Sequence, residues 1–297
     1  MNIIAYCDNS VVSTKEKKLK KLTALIIILV CSVLCISCTE NSKKVKLSFK
    51  YKKGMKLEYK QESKRLTKVF KADSLINNES DESIAFINQE VLDVVDDSTF
   101  KMNEVDTWHY TQPNKDDSTQ FDSVTYSREM ELLVLQNGKI LDFTSKDADQ
   151  KTTSYLKNYY EQGLPIFPSV DVYPGYSWTQ TTSVVLPSET MKASTTYSIK
   201  SFVRELGYDC AVIEYTGNLL IPIEPKEEDK TQRSGLDKIH TDGMIYFAYS
   251  EGIVIKQTEK WNTVGERIQL VDNEWERYNF TSQYDVNFGL VKVDGLK

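Results

Sequence analysis

Apolar and polar residues alternate along most of this chain. Val45, Leu47, Phe49 and Tyr51 interleave with Lys44, Lys46, Ser48, Lys50 and Lys52, and after Lys53-Gly54 the alternation resumes as Met55, Leu57 and Tyr59 against Lys56, Glu58 and Lys60. A period of two places successive side chains on opposite faces of a strand, so one face is buried and the other wet. The two runs around Gly54 predict a hairpin whose outer face is coated with lysine, a device that also discourages edge-to-edge pairing. Residues 84–95 and 99–110 flank Asp96-Asp97-Ser98, and residues 130–136 meet 139–143 across Asn137-Gly138, a dipeptide suited to the positive φ of a tight hairpin turn. Further strands are predicted over 176–186, 193–204, 208–223, 243–250, 253–262, 267–271 and 275–286.

One stretch changes period. Tyr155, Leu156, Tyr159 and Tyr160 fall one turn apart, with Ser145 as a possible cap, Gly163 as a stop and Pro165 beyond it, which predicts a helix over 146–162. The expected fold is mainly β with one or two helices (α+β): an antiparallel curved sheet or half-barrel with a central helix packed on it. A weak internal echo pairs the surroundings of Gly54 with those of Gly175, and of Gly138 with those of Gly252. The exported domain, 45–297, therefore reads either as one unit or as two related halves, 45–144 and 170–290, joined by the helix.

The pattern upstream is of another kind. Five lysines within residues 15–21 precede sixteen residues without a charge, 22–37, and then Cys38. A basic start followed by an apolar run of this length reads as a secretory leader, and the run is shorter than the roughly 20 residues a spanning helix needs. Cys35-Ile36-Ser37-Cys38 is similar to a lipobox, with Cys35 where leucine is usual, so Cys38 is the expected site of lipidation. A retained anchor helix is the alternative. These features expect a signal peptide over 1–37, a lipidated tether over 38–44, and a membrane partner reached through an acyl (palmitate-type) anchor. The address is the cell envelope, facing the periplasm or beyond, and Thr39 in place of aspartate favours the outer membrane over the inner.

Cysteine and charge agree with that address. Once residues 1–37 leave and Cys38 is acylated, Cys210 alone remains as a thiol, so no disulfide can form within the domain. Residues 43–71 hold twelve Lys or Arg against Glu58 and Glu62, a net +10, whereas 72–297 carry a net −18. The basic stretch is either the solvated face of the first strands or a membrane-facing patch of Lys44, Lys46, Lys50, Lys52 and Lys56, each worth about 1 kcal/mol beside anionic headgroups. The acidic remainder offers no footprint for nucleic acid.

No catalytic constellation stands out. Gly-x-Ser-x-Gly, His-Glu-x-x-His and a phosphate-cradling glycine loop are all missing, and the two histidines, His109 and His240, are 131 positions apart. No catalytic residue, metal site or cofactor is expected. The acid pairs Asp96-Asp97, Asp116-Asp117 and Glu227-Glu228-Asp229 read as solvated loop charge. Asp106-Thr107-Trp108-His109-Tyr110 is the sharpest enzymatic candidate, since a histidine among aromatics can act as a base or contact a sugar; a structural role is the plainer reading. Trp108, Trp178, Trp261 and Trp275 read as core or rim packing.

Three segments carry a resemblance: 52–59 (Lys-Lys-Gly-Met-Lys-Leu-Glu-Tyr), 168–178 (Pro-Ser-Val-Asp-Val-Tyr-Pro-Gly-Tyr-Ser-Trp) and 243–256 (Gly-Met-Ile-Tyr-Phe-Ala-Tyr-Ser-Glu-Gly-Ile-Val-Ile-Lys). In them the chain resembles a family of bacterial lipoproteins known by a domain of unknown function, the DUF6263 type. At a further remove it is similar to the LolA and LppX type of half-barrel lipoproteins. That likeness implies a non-catalytic protein binding a lipid or other hydrophobic ligand beneath the helix, at Leu156, Tyr159 and Tyr160. The alternatives are a structural or assembly lipoprotein that presents a surface to an envelope protein partner and, least favoured, a hydrolase.

Overall fold

The computed structural model describes residues 43–113, 121–185, 190–223 and 235–296. Cys38, the leader, Asp116-Asp117 and Glu227-Glu228-Asp229 lie outside the described residues. The elements in chain order are β1 (Lys56–Lys71), β2 (Ser74–Asp96), β3 (Thr99–Pro113), β4 (Phe121–Leu135), β5 (Ile140–Ser145), α1 (Gln150–Gly163), β6 (Ser177–Val185), β7 (Thr190–Glu205), β8 (Tyr208–Ile223), β9 (Gly235–Ala248), β10 (Ile253–Val271) and β11 (Glu274–Asp294).

The strands form one open antiparallel sheet of eleven, in the order β5-β4-β3-β2-β1-β11-β10-β9-β8-β7-β6. Every neighbour in the sheet is a neighbour in sequence except one, the pairing of β1 with β11 from Lys56↔Asp294 to Lys71↔Tyr278. Two meanders, β1 to β5 and β6 to β11, are thus zipped together at the middle. Tight turns make this possible: Asn137-Gly138 turns as expected with Gly138 at φ 93°, and Ala72-Asp73 and Asp272-Asn273 adopt positive φ at both central positions. Turns of that hand match the twist of the strands they join.

The structure overturns the predicted first hairpin. Leu47, Ser48 and Phe49 are buried in succession, which no period-two strand allows, and residues 46–55 run as an irregular strap. Its backbone bonds go to separate partners instead of one strand: Val45 bridges Val172, Phe49 N–H donates to Gln136 O (2.7 Å), Lys50 N–H to Gly252 O (3.3 Å) and Gly54 N–H to Val91 O (2.8 Å). Phe49 packs against Phe167 and Phe247 with ring centroids 5.3 and 5.4 Å away. The strap presses so close at Gly252 that a Cβ there would stand 2.4 Å from Lys50 N. Only from Lys56 does a true strand begin.

The helix differs in its start. Asp149, not Ser145, caps it, accepting from Thr152 N–H at 2.7 Å, while Ser145 closes β5. A capping carboxylate satisfies a donor that the first turn leaves unpaired. The 14-residue helix touches β5 and β6, the two outermost strands of the sheet. Two predicted strands, 253–262 and 267–271, are one continuous β10, because Gly265 between them makes room for the ring of Phe280.

A single apolar cluster draws on both meanders, with Leu57, Ile87, Met102, Met130, Ile213, Ile245 and Ile255 among its members. Each such side chain contributes about 1.5–3 kcal/mol by leaving water.

Candidate functional site

The buried face of the sheet changes chemistry along its strands. On β3 it reads Phe100, Met102, Glu104, Asp106, Trp108, and on β10 the apolar Val254 is followed along the cavity by Gln257, Glu259 and Trp261, so apolar floor gives way to polar wall on both strands. There a cavity of about 260 Å³ opens, lined by residues of every strand except β5 and by the C-terminal end of α1. Its apolar lining includes Ile87, Met102, Leu132, Leu219, Ile239 and Phe288.

One corner of this cavity is a buried polar cluster. Tyr160 of α1 places its hydroxyl 2.5 Å from Glu104 Oε1 and 2.9 Å from Asp106 Oδ2. Arg128 of β4 donates through Nη2 to Asp106 Oδ2 at 2.8 Å, and Gln89 of β2 donates through Nε2 to Glu104 Oε2 at 2.6 Å. Burial, reinforced by the neighbouring Asp106 charge, pushes the Glu104 carboxyl up to about 8. The Tyr160 phenol is raised well above its ordinary range by burial and by the same two carboxyls. Asp106 Oδ1 and Arg128 Nε have no protein partner.

A second polar wall faces the cavity from β8 and β10. The Tyr215 ring reaches across Gly243 of β9 to accept from Gln257 Nε2 at 2.9 Å. Burial lifts the neighbouring Glu259 carboxyl above its ordinary range.

Of the helix residues expected at a ligand, Leu156 is 9% exposed and belongs to the core cluster, and Tyr160 belongs to the polar corner. The side chain of Tyr159 lies outside the described residues. The five lysines are all exposed. Lys50 Nζ donates to Tyr249 O and Ser250 O at 2.9 and 3.1 Å, Lys52 Nζ to Leu296 O at 2.8 Å, Lys56 lies 3.4 Å from Glu90, and Lys44 sits over the Tyr173 ring. Pairs this exposed contribute little to stability.

His109 and Asp106 stand on opposite faces of β3. Asp106 and Trp108 line the cavity, whereas His109 bonds Thr125 Oγ1 at 3.0 Å and meets the exposed Phe86 ring edge-on. They cannot act together. Among the described residues no group of three or more His, Cys, Asp or Glu is placed to hold a metal ion, and no helix is long and apolar enough to cross a membrane. Glu104 and Asp106 form the closest approach to an acid–base couple, but Asp106 is already bonded to Arg128 and Tyr160 covers both.

The polar corner was within reach of the sequence pattern. The alternation that puts Phe100 and Met102 inside continues through Glu104 and Asp106, two carboxyls on an inward face; only their partners from β2, β4 and α1 require the fold. Compared with known proteins, the chain matches no family model, and no curated protein matches it.

Proposed function

We propose that this chain is a membrane-anchored envelope lipoprotein, acylated at Cys38, whose sheet curls into a half-barrel beneath α1 and binds a lipid or other hydrophobic ligand without transforming it. The observation that carries this reading is the apolar cavity lined from ten of the eleven strands. The helix contacts support the curl. At about 4.8 Å per strand, the edges of a flat eleven-stranded sheet stand roughly 48 Å apart, whereas a 14-residue helix is about 21 Å long and 10–12 Å wide. One helix touching β5 and β6 together requires strong curvature.

The full chain carrying Cys38→Ser tests both parts. Its loss of stable membrane association, with binding of the fluorescent probe N-phenyl-1-naphthylamine that lipid displaces, is the expected result. Unchanged fractionation would remove the acyl anchor, and a chain that takes up neither probe nor lipid would remove the carrier. A second reading, an assembly surface for an envelope protein, is favoured by Ile84 and Phe86, which are 39% and 43% exposed on the face that carries His109. Crosslinked complexes lost in Phe86→Ser would support it.

A further inference from the structure

We infer that the corner formed by Glu104, Asp106 and Arg128 is a head-group subsite for an amphiphile with an uncharged hydroxyl or amide head, and that it rejects fatty acids and other anionic amphiphiles. This deepens the carrier reading and rests on it.

Proton counting gives the corner its charge. The single hydroxyl hydrogen of Tyr160 faces two carboxyl oxygens, at 2.5 and 2.9 Å, and can serve only one. A second proton is therefore needed, and it resides on Glu104, since Asp106 is the carboxyl that faces Arg128 at 2.8 Å. The chain of donors then runs from Glu104 to Tyr160 to Asp106, with Arg128 donating from the other side. The corner as a whole is neutral.

Two atoms remain unmatched. Asp106 Oδ1, on a residue only 3% exposed, accepts nothing, and Arg128 Nε donates to nothing. Leaving a buried acceptor or donor unmade costs about 1–3 kcal/mol. A hydroxyl or amide both donates and accepts, so it is the kind of head group that complements an unmatched acceptor and an unmatched donor at one corner. The phenol of Tyr160, an apolar ring ending in one hydroxyl, is the intrinsic occupant beside which the head group docks.

An anionic head has no such place. Among the described residues lining the cavity, Arg128 is the only base, and it is already committed to Asp106; Glu104, Asp106 and Glu259 are the acids. A buried carboxylate or phosphate would meet Asp106 without a cation of its own, an arrangement proteins tolerate poorly.

The experiment holds the chain length constant and changes the head. Monolaurin, laurate and dodecylamine are titrated at pH 7 against N-phenyl-1-naphthylamine bound to the full chain carrying Cys38→Ser. Monolaurin should displace the probe at roughly one-tenth the concentration laurate requires, the scale of one buried hydrogen-bonding group left unmatched. Asp106→Asn leaves Arg128 uncompensated and should shrink that preference to about threefold or less, whereas Arg128→Gln, which exposes Asp106, should widen it. Glu104→Gln keeps a donor at its position and should preserve the order. Probe affinity equal to that of the parent shows that each variant keeps its cavity. Laurate or dodecylamine competing as well as monolaurin, or both charge variants leaving the ratio unchanged, overturns the subsite while the carrier reading stands. Probe binding that fails in the parent chain overturns the carrier reading and the subsite with it.

Discussion

The ring of Tyr215 lies over Gly243, its Cζ 2.2 Å from where a Cβ on residue 243 would stand. The strand between Tyr215 and Gln257 therefore has to be bare at this level for their hydrogen bond to form. Gly243→Ala should displace the ring, break that 2.9 Å bond and cost about 1–3 kcal/mol, as over-packed sites do. Urea unfolding reads this as a lower midpoint with an unchanged slope.

Glu104 makes stability depend on pH in the direction opposite to a surface carboxylate. Its folded value, about 8, lies above the ordinary 4.5, so the folded chain holds a proton that the unfolded chain releases. Unfolding then frees protons across that window, and stability falls as pH rises from about 4.5 towards about 8. Glu104→Gln should flatten the decline. Unfolding midpoints at pH 5, 6.5 and 8 for both chains provide the check; parallel curves would show that another group carries the dependence.

Leu156 and Lys50 separate packing from surface charge. Leu156, buried in the core, should cost about 2–5 kcal/mol when cut to alanine. Lys50 is exposed and bonds only the carbonyls of Tyr249 and Ser250 through its side chain, so Lys50→Glu should cost under about 1 kcal/mol. Probe binding should follow the same order, with Leu156→Asp losing more than Lys50→Glu.

Cys210 is fully buried in β8, and burial pushes its thiol up to about 11. A thiol without thiolate character and without access reacts slowly. Alkylation at pH 8 followed by peptide mapping should find Cys210 unmodified in the folded chain and modified in urea. Rapid native labelling would mean that β8 opens readily.

How far the sequence discloses this fold varies by element. Residues 208–223 read as a strand and form one end to end, since alternation and turn chemistry agree there. Gly54 and Gly175, paired by the sequence echo, both take positive φ and stand just ahead of β1 and β6; Gly138 and Gly252 do the same ahead of β5 and β10. The strap misleads because alternation reports burial opportunity, and Phe49 finds its opportunity among rings of distant segments. The first eight residues of β2 are exposed and, Leu75 and Ile76 apart, polar, so their strand comes from pairing with β1, which no local pattern announces. The helix cap shifts because Asp149 and Ser145 are both capping residues and the end of β5 claims the second. The carboxyl corner was legible as two inward acids; their shared hydroxyl on α1 was not, because it lies more than fifty positions away.

The strap also decides how the molecule bears load. A tug on the chain at residue 43 reaches first the bridge between Val45 and Val172, then the bonds from Phe49 to the β4–β5 turn and from Lys50 to the β9–β10 turn. These attachments lie on both meanders, so tension entering through the strap divides between them and does not peel a single strand from the sheet's edge. The strap thus ties the start of the described chain to both meanders, and a load on it is shared between them.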